Sequence, residues 1–232
     1  MAEFPVDPMM GKALLASEQF NCSEQVATIC SMLSVNSSVF YRPKEKAVHA
    51  DTARKGFVAP GGDHLVLLKV YEQWLQSGYS RQWCVEHFIQ YRSMCRARDV
   101  RDQLDSLMQR VEIEMRSTED HANIRKSFTA GYFYHVATFG KVAGQYKTVK
   151  SQQPVLIHPN SSLFEPKPRW VLYHELVLTT KEYMRGVIEI DPKWLLELAP
   201  HLYKGDEFQK LMDKNRKMPK QVGKSANELQ ST

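Results

Sequence analysis

Cys84 and His87 stand three residues apart in a stretch with helical periodicity, a spacing that lets a thiol approach a base. Nothing nearby in sequence supplies donors for an oxyanion, so no nucleophilic catalysis is expected there. Gly223-Lys224-Ser225 has the end of a phosphate-cradling loop, but the glycine needed five residues upstream falls on Met218. Glu119-Asp120-His121-Ala122 holds the letters of a metal-binding acidic box in the wrong order, with no buried strand before it. The four cysteines at 22, 30, 84 and 95 contain no close pair, and the eight histidines show no metal-ligand spacing. The expectation is no catalytic residue, no metal site and no cofactor held by this chain. The residues describe a binding or scaffolding unit.

Composition agrees with that. With 43% hydrophobic and 25% charged residues the chain is ordinary for a folded globular protein. No apolar run reaches the ~18 residues a membrane helix needs, and no signal peptide is expected at MAEFPVDPMMGK. Unpaired cysteines suit a reducing, cytosolic or nuclear compartment. The net charge is +5, and the segment Lys204–Lys224 holds seven Lys/Arg (204, 210, 214, 216, 217, 220, 224) against three acids (206, 207, 213). Most of the excess charge therefore sits in a basic tail, read as mobile, able to touch phosphate or act as an import signal. The body lacks a global positive field, so any nucleic-acid contact there must be local.

The positioning elements divide at about Gly140. Before it, apolar residues recur at helical spacing. Val26, Ile29, Cys30 and Leu33 form one face, with Asn21 as expected N-cap. After the break at Tyr41-Arg42-Pro43, Gly61-Gly62-Asp63 forms a turn with Asp63 as cap, and Leu67, Leu68, Tyr71, Trp74 and Leu75 follow to Gly78. Ser80 caps a helix carrying Trp83, Phe88 and Ile89. A long helix then aligns Ala97, Val100, Leu104, Leu107, Met108 and Val111, flanked by the pairs Arg98–Asp102 and Arg101–Asp105. A last helix through Ile124, Phe128 and Tyr132 reaches about Ala137, and Gly131 inside it is tolerable if another backbone approaches.

Past Gly140 short β-type runs cover 146–149, 155–158, 170–179 and 184–190. Trp170, Leu172, Leu176 and Leu178 share one face of the longest, and both faces are largely apolar, as in a closed barrel. Asp191-Pro192 opens a short helix that Pro200 ends, and the four tryptophans read as core anchors. The fold class is α+β: a helical bundle over 1–138, a small OB-fold-like β-barrel over 139–203, and a basic tail over 204–232.

Several strings, in this order, resemble one family. FPVDPMMGKALLASEQF, MLSVNSSVFYRPK, GGDHLVLLKVYEQW and QYRSMCRARDVRDQL are similar to the ratchet-like helicase-associated bundle of DEAH-box RNA helicases. GQYKTVKSQQPVLIHPNSSLF, RWVLYHELVLTTKEYMR and DPKWLLELAP resemble their OB-fold. The similarity runs to about residue 203, and is greatest to the spliceosomal type that remodels the activated spliceosome before the first splicing step. The resemblance implies a fragment that starts at the exit of a winged-helix domain. RecA-like lobes that bind ATP and Mg and hydrolyse ATP would lie upstream. It also implies a nuclear location, single-stranded pre-mRNA as ligand, spliceosomal protein partners including a G-patch activator, and no membrane. The alternative is a free-standing RNA- or protein-binding adaptor; an upstream reading frame encoding a P-loop distinguishes the two.

Three segments carry side chains suited to a ribonucleotide strand. The turn His158-Pro159-Asn160-Ser161-Ser162 offers hydroxyl, amide and backbone donors, although ordinary turns use the same residues. Thr179-Thr180-Lys181 with Arg185 suits a phosphate, or is a solvated hairpin end. Arg92 and Ser93 with Arg96 open the long helix, whose N-terminus attracts anions, unless Arg96 merely pairs with Asp99.

Overall fold

The computed structural model describes residues 6–35, 39–140, 144–203 and 205–216. Lys204, the tail from 217 on and Gly223-Lys224-Ser225 lie outside the described residues, as do the side chains of Lys214 and Arg216. The bundle consists of α1 (Pro8–Gln19), α2 (Ser23–Leu33), α3 (Ala47–Lys55), α4 (Asp63–Gln76), α5 (Arg81–Glu86), α6 (Tyr91–Arg110) and α7 (His121–Tyr132). β1 (Val136–Phe139), β2 (Tyr146–Thr148), β3 (Pro154–Ile157), β4 (Trp170–Leu178) and β5 (Glu182–Glu189) close into a barrel in the order β1-β2-β3-β5-β4. All its pairings are antiparallel except β3 with β5. The α+β expectation, a bundle followed by an OB-like barrel, holds.

Local chemistry explains the elements. Asp7 accepts from Met9 N and Pro8 starts α1, while Ser80 accepts from Trp83 N and Asp120 from Ala122 N at the starts of α5 and α7. Gly131 lets α7 lie on α1: a Cβ there would overlap Met9 O and come within 2.9 Å of Ala13.

Several expectations need correction. Asn21 is not the cap of α2; Cys22 occupies that position, and Asn21 turns the chain with φ +53° while accepting from Arg116. Asp63 is not a cap either: Gly62 precedes the helix, and Asp63 is its first residue. α5 stops at Glu86, so Phe88 and Ile89 lie beyond it, Phe88 with φ +57° and Ile89 bridged to Phe40. Arg98 pairs with Asp99 at 3.3 Å rather than with Asp102; among the described residues Arg96 makes no ion pair with Asp99, and Arg101–Asp105 forms. α7 ends at Tyr132, and β1 begins at Val136 where the periodicity had continued the helix. α8 (Pro192–Leu198) ends just before Pro200 as expected, but Pro200 then starts a further short helix, α9 (Pro200–Tyr203). The tail reading fails at its start: α10 (Asp206–Arg216) buries Phe208 against Trp170 and Tyr203.

The face assignment on β4 also changes. Trp170 and Leu172 face the helical core, but Leu176 packs into the barrel interior with Met184 and Val187, and Leu178 is exposed. Gly186 opposite this segment has φ +61°, which breaks the alternation of the β4–β5 ribbon. Trp74 and Trp170 are buried anchors, whereas Trp83 and Trp194 are only partly covered.

Candidate nucleic-acid interface

A cleft of about 540 Å³ opens where the bundle meets the barrel. One wall is the C-terminal turn of α3 with Asp51, Arg54 and Lys55; the floor is the start of α4 at Asp63; the facing wall is the loop after β3 together with Arg185 of β5. Placing cations in the last turn of α3 suits the negative end of its dipole.

Arg54 ties the two walls together. Its guanidinium donates to Asn160 O at 2.7 Å and lies 4.4 Å from the Phe40 ring centre. Burial pushes the guanidinium below its ordinary value, Asp63 and Asp51 oppose that shift, and Arg185 adds to it. Phe40 is held by its bridge to Ile89 and by Phe57, 6.3 Å away, so the wall behind Arg54 is aromatic.

The loop is ordered by its own polar groups. His158 Nδ1 accepts from Asn160 N at 3.1 Å, Ser161 N donates to His158 O at 2.9 Å, and Ser161 Oγ accepts from Leu163 N at 3.2 Å. Burial lowers the His158 pKa, and Arg185 and Arg54 lower it further. Ser162 donates from both N and Oγ to Asp63 Oδ1, each at 2.8 Å, and Val187 N donates to Asp63 Oδ2 at 2.8 Å. Two further carboxylates line the cleft: Asp51, held by Arg42 at 2.7 Å, and Glu165, exposed at the far end of the loop. Arg185 makes a loose pair with Glu175 at 3.7 Å.

The structure therefore divides the sequence candidates. His158, Asn160, Ser161, Ser162 and Arg185 come together in the cleft. Thr179, Thr180 and Lys181 do not join them; they form the exposed tip of the β4–β5 hairpin, where Thr179 N donates to Lys181 O at 3.0 Å. Arg92, Ser93 and Arg96 do not line the cleft; Ser93 is buried and presents no hydroxyl to a ligand, while Arg92 and Arg96 are exposed on α6. Arg54 and Lys55 were missed by sequence reasoning. The signal was present as a basic pair at the end of a short polar helix between Pro43 and Gly61.

The other sequence features resolve as architecture. The Cys84 thiol is pushed up to about 11 by burial and by neighbouring Cys95, and His87 stacks on Trp83 at 4.4 Å with Nδ1 at 2.8 Å from Trp83 O. At neutral pH this pair holds no thiolate. Among the described residues no helix is long and apolar enough to cross a membrane.

Comparison with known families matches two separate stretches of the chain. Residues 7–67 match the family model described as helicase associated domain (HA2), ratchet-like. Residues 124–203 match that described as oligonucleotide/oligosaccharide-binding (OB)-fold. The cleft draws α3 and the start of α4 from the first match and its loop and β5 from the second.

Proposed function

We propose, from the premise that an HA2 ratchet-like domain followed by this OB-fold indicates the C-terminal part of a DEAH/RHA-type helicase, that the chain holds single-stranded RNA at the cleft between the two domains. The observation that carries this reading is the meeting of Arg54 and Arg185 beside a loop of amide and hydroxyl groups, where Asp51 and Asp63, the carboxylates that act on Arg54, are engaged by protein donors. A phosphate placed there receives charge-assisted hydrogen bonds from a planar guanidinium and neutral ones from Ser161 and Asn160. Such contacts hold a backbone without reading bases, which is what a strand in transit requires.

In the parent enzyme the two RecA-like lobes would bind ATP and Mg and step along RNA, while this region holds the strand and couples lobe motion to remodelling. No step of that hydrolysis is carried by the residues described here. The finer reading is a spliceosomal, nuclear enzyme acting on pre-mRNA in the activated spliceosome, with winged-helix and RecA-like domains upstream and a G-patch activator among its partners. The ordered strings of both domains support it. Tagged parent protein should enrich on spliceosomes stalled before the first splicing step; equal recovery from spliceosomes stalled after it would remove that assignment.

RNA binding is testable on the chain itself with a fluorescent twelve-nucleotide uridine strand. Binding is expected to weaken steeply with salt. Arg54→Ala and Arg185→Ala should each weaken it and lower the log–log salt slope by about 1. Lys181→Ala, at the hairpin tip, should change it little. Unchanged affinity in both arginine variants would overturn the cleft as the binding site.

A further inference from the structure

We infer that Asp63 is the positioning residue of the cleft, and that it strengthens RNA binding by fixing both parts of the facing wall, the loop after β3 and β5, to the floor, even though its charge has the same sign as the ligand's. The inference rests on the RNA reading above and adds to it how the site is built. A carboxylate in the first turn of a helix ordinarily serves that helix, by capping an N–H or opposing the dipole. Asp63 does otherwise. Both oxygens turn to the barrel, Oδ1 to Ser162 N and Oγ and Oδ2 to Val187 N, all at 2.8 Å. The donors come from segments 99 and 124 residues away, and each segment carries part of the site. Ser162 ends the turn that bears His158, Asn160 and Ser161, and Val187 follows Arg185 by two residues on β5.

The barrel's own construction makes this clasp necessary. β3 pairs with β5 only at Tyr183 and Met184, so the stretch of β5 from Val187 onward has no β3 partner. The Gly61-Gly62-Asp63 segment takes that place: Val187 N donates to Asp63, Gly62 bridges Ile188, and Glu189 N donates to Gly61 O at 2.9 Å. The approach is close enough that a Cβ on Gly62, which has φ +118°, would lie 2.7 Å from Ile188 Cα. The bundle thus supplies a surrogate strand edge, and Asp63 extends it sideways to the loop.

Two accounts of Asp63 give opposite signs. As a bare negative charge beside Arg54 it repels phosphate, and Asp63→Asn tightens RNA binding. As a positioning group it needs two acceptor oxygens, and an asparagine has one, so its amide must face a donor at Ser162 or Val187. Asp63→Asn then loosens one wall and weakens binding.

The test uses the full 232-residue chain, amide hydrogen exchange at Ser162 and Val187, and anisotropy with the twelve-nucleotide uridine strand. Asp63→Asn should speed exchange at one of the two amides by roughly tenfold or more, as expected for loss of a charge-assisted hydrogen bond. RNA affinity should fall with the salt slope unchanged, in contrast to the drop of about 1 expected for Arg54→Ala. Ser162→Ala, which removes one donor from a surface loop and leaves the helix intact, should move affinity in the same direction by less. Equal or tighter binding by Asp63→Asn, or unchanged exchange at both amides, would overturn the inference. A wild-type chain that binds no RNA would overturn the RNA reading instead, and the exchange result would still decide whether Asp63 holds the loop and β5 of the facing wall.

Discussion

His64, next to the clasp, is fully enclosed between the Phe128 ring, 4.4 Å away, and the Gly186 backbone. Among the described residues its ring nitrogens find no hydrogen bond of ordinary geometry, and neither do Tyr132 Oη and His174 Nδ1 nearby. Burial pushes His64 down to about 3, and His174 reinforces that; burial lowers His174 as well, with Glu175 opposing and His135 adding to the shift. The folded protein keeps His64 neutral, whereas the unfolded chain takes up a proton at the ordinary value of 6.5. The contribution is complete above pH 6.5 and is lost progressively as pH falls toward about 3. One pH unit below 6.5 the loss from His64 alone is about 1.4 kcal/mol. Urea unfolding at pH 7.5 and 5.5 should show it, and His64→Leu should reduce the difference by about that amount. An equal pH dependence in the variant would place the titrating group elsewhere. His64 and Asp63, neighbours in sequence, differ in kind: one is a packing residue whose polar atoms are poorly served, the other a carboxylate with both oxygens hydrogen-bonded.

A close approach at Gly131 was legible in the sequence, because a glycine inside a periodic apolar stripe contradicts helix propensity, but its partner α1 was not. Gly131→Ala should therefore destabilise the chain by roughly 1–3 kcal/mol, since its Cβ meets the backbone of Met9 rather than a side chain that can turn away. A thermal melt unchanged from wild type would show that α1 moves aside without strain. β2 to β5 were legible for a similar reason: alternation and turn residues bound each of them. β1 was not, because Tyr132 and Val136 continue a four-residue spacing across the end of α7, and only pairing with β2 and β4 makes Val136–Phe139 a strand. α3 gave no apolar stripe, burying only Ala50, so the cations it brings to the cleft stayed out of view. Asp63 was visible as a residue but not as a clasp. A carboxylate after two glycines has the local signature of a cap, and its true partners lie about a hundred residues further on. Half of the site was thus readable from one loop and one arginine, and the other half is created by the docking of two domains.

Whether those domains behave as one body decides whether a force applied to either reaches the cleft. The barrel has its own small interior of Ala137, Tyr146, Val155, Ile157, Val171, Tyr173, Met184 and Val187. Yet the outward residues of its strands, Val136, Trp170, Leu172 and Ile188, and Ile190 just past β5, belong to the same apolar core as α1, α2, α4 and α7. α8 to α10 add Leu195, Ala199, Tyr203 and Phe208 to that core, and Tyr203 Oη donates to Phe133 O at 2.5 Å, just past the end of α7. Unfolding the barrel alone would strip these faces of cover and break the three hydrogen bonds on Asp63 and the one on Gly61, losses that a small interior cannot offset. The chain should therefore unfold in a single calorimetric transition with van't Hoff and calorimetric enthalpies in agreement. Trp170→Ala should lower that transition by about 3–5 kcal/mol of stability without splitting it. Two resolved endotherms in the wild-type chain would mean that the barrel swings independently. Motion of the bundle would then reach the RNA cleft only through a hinge, not through a shared core.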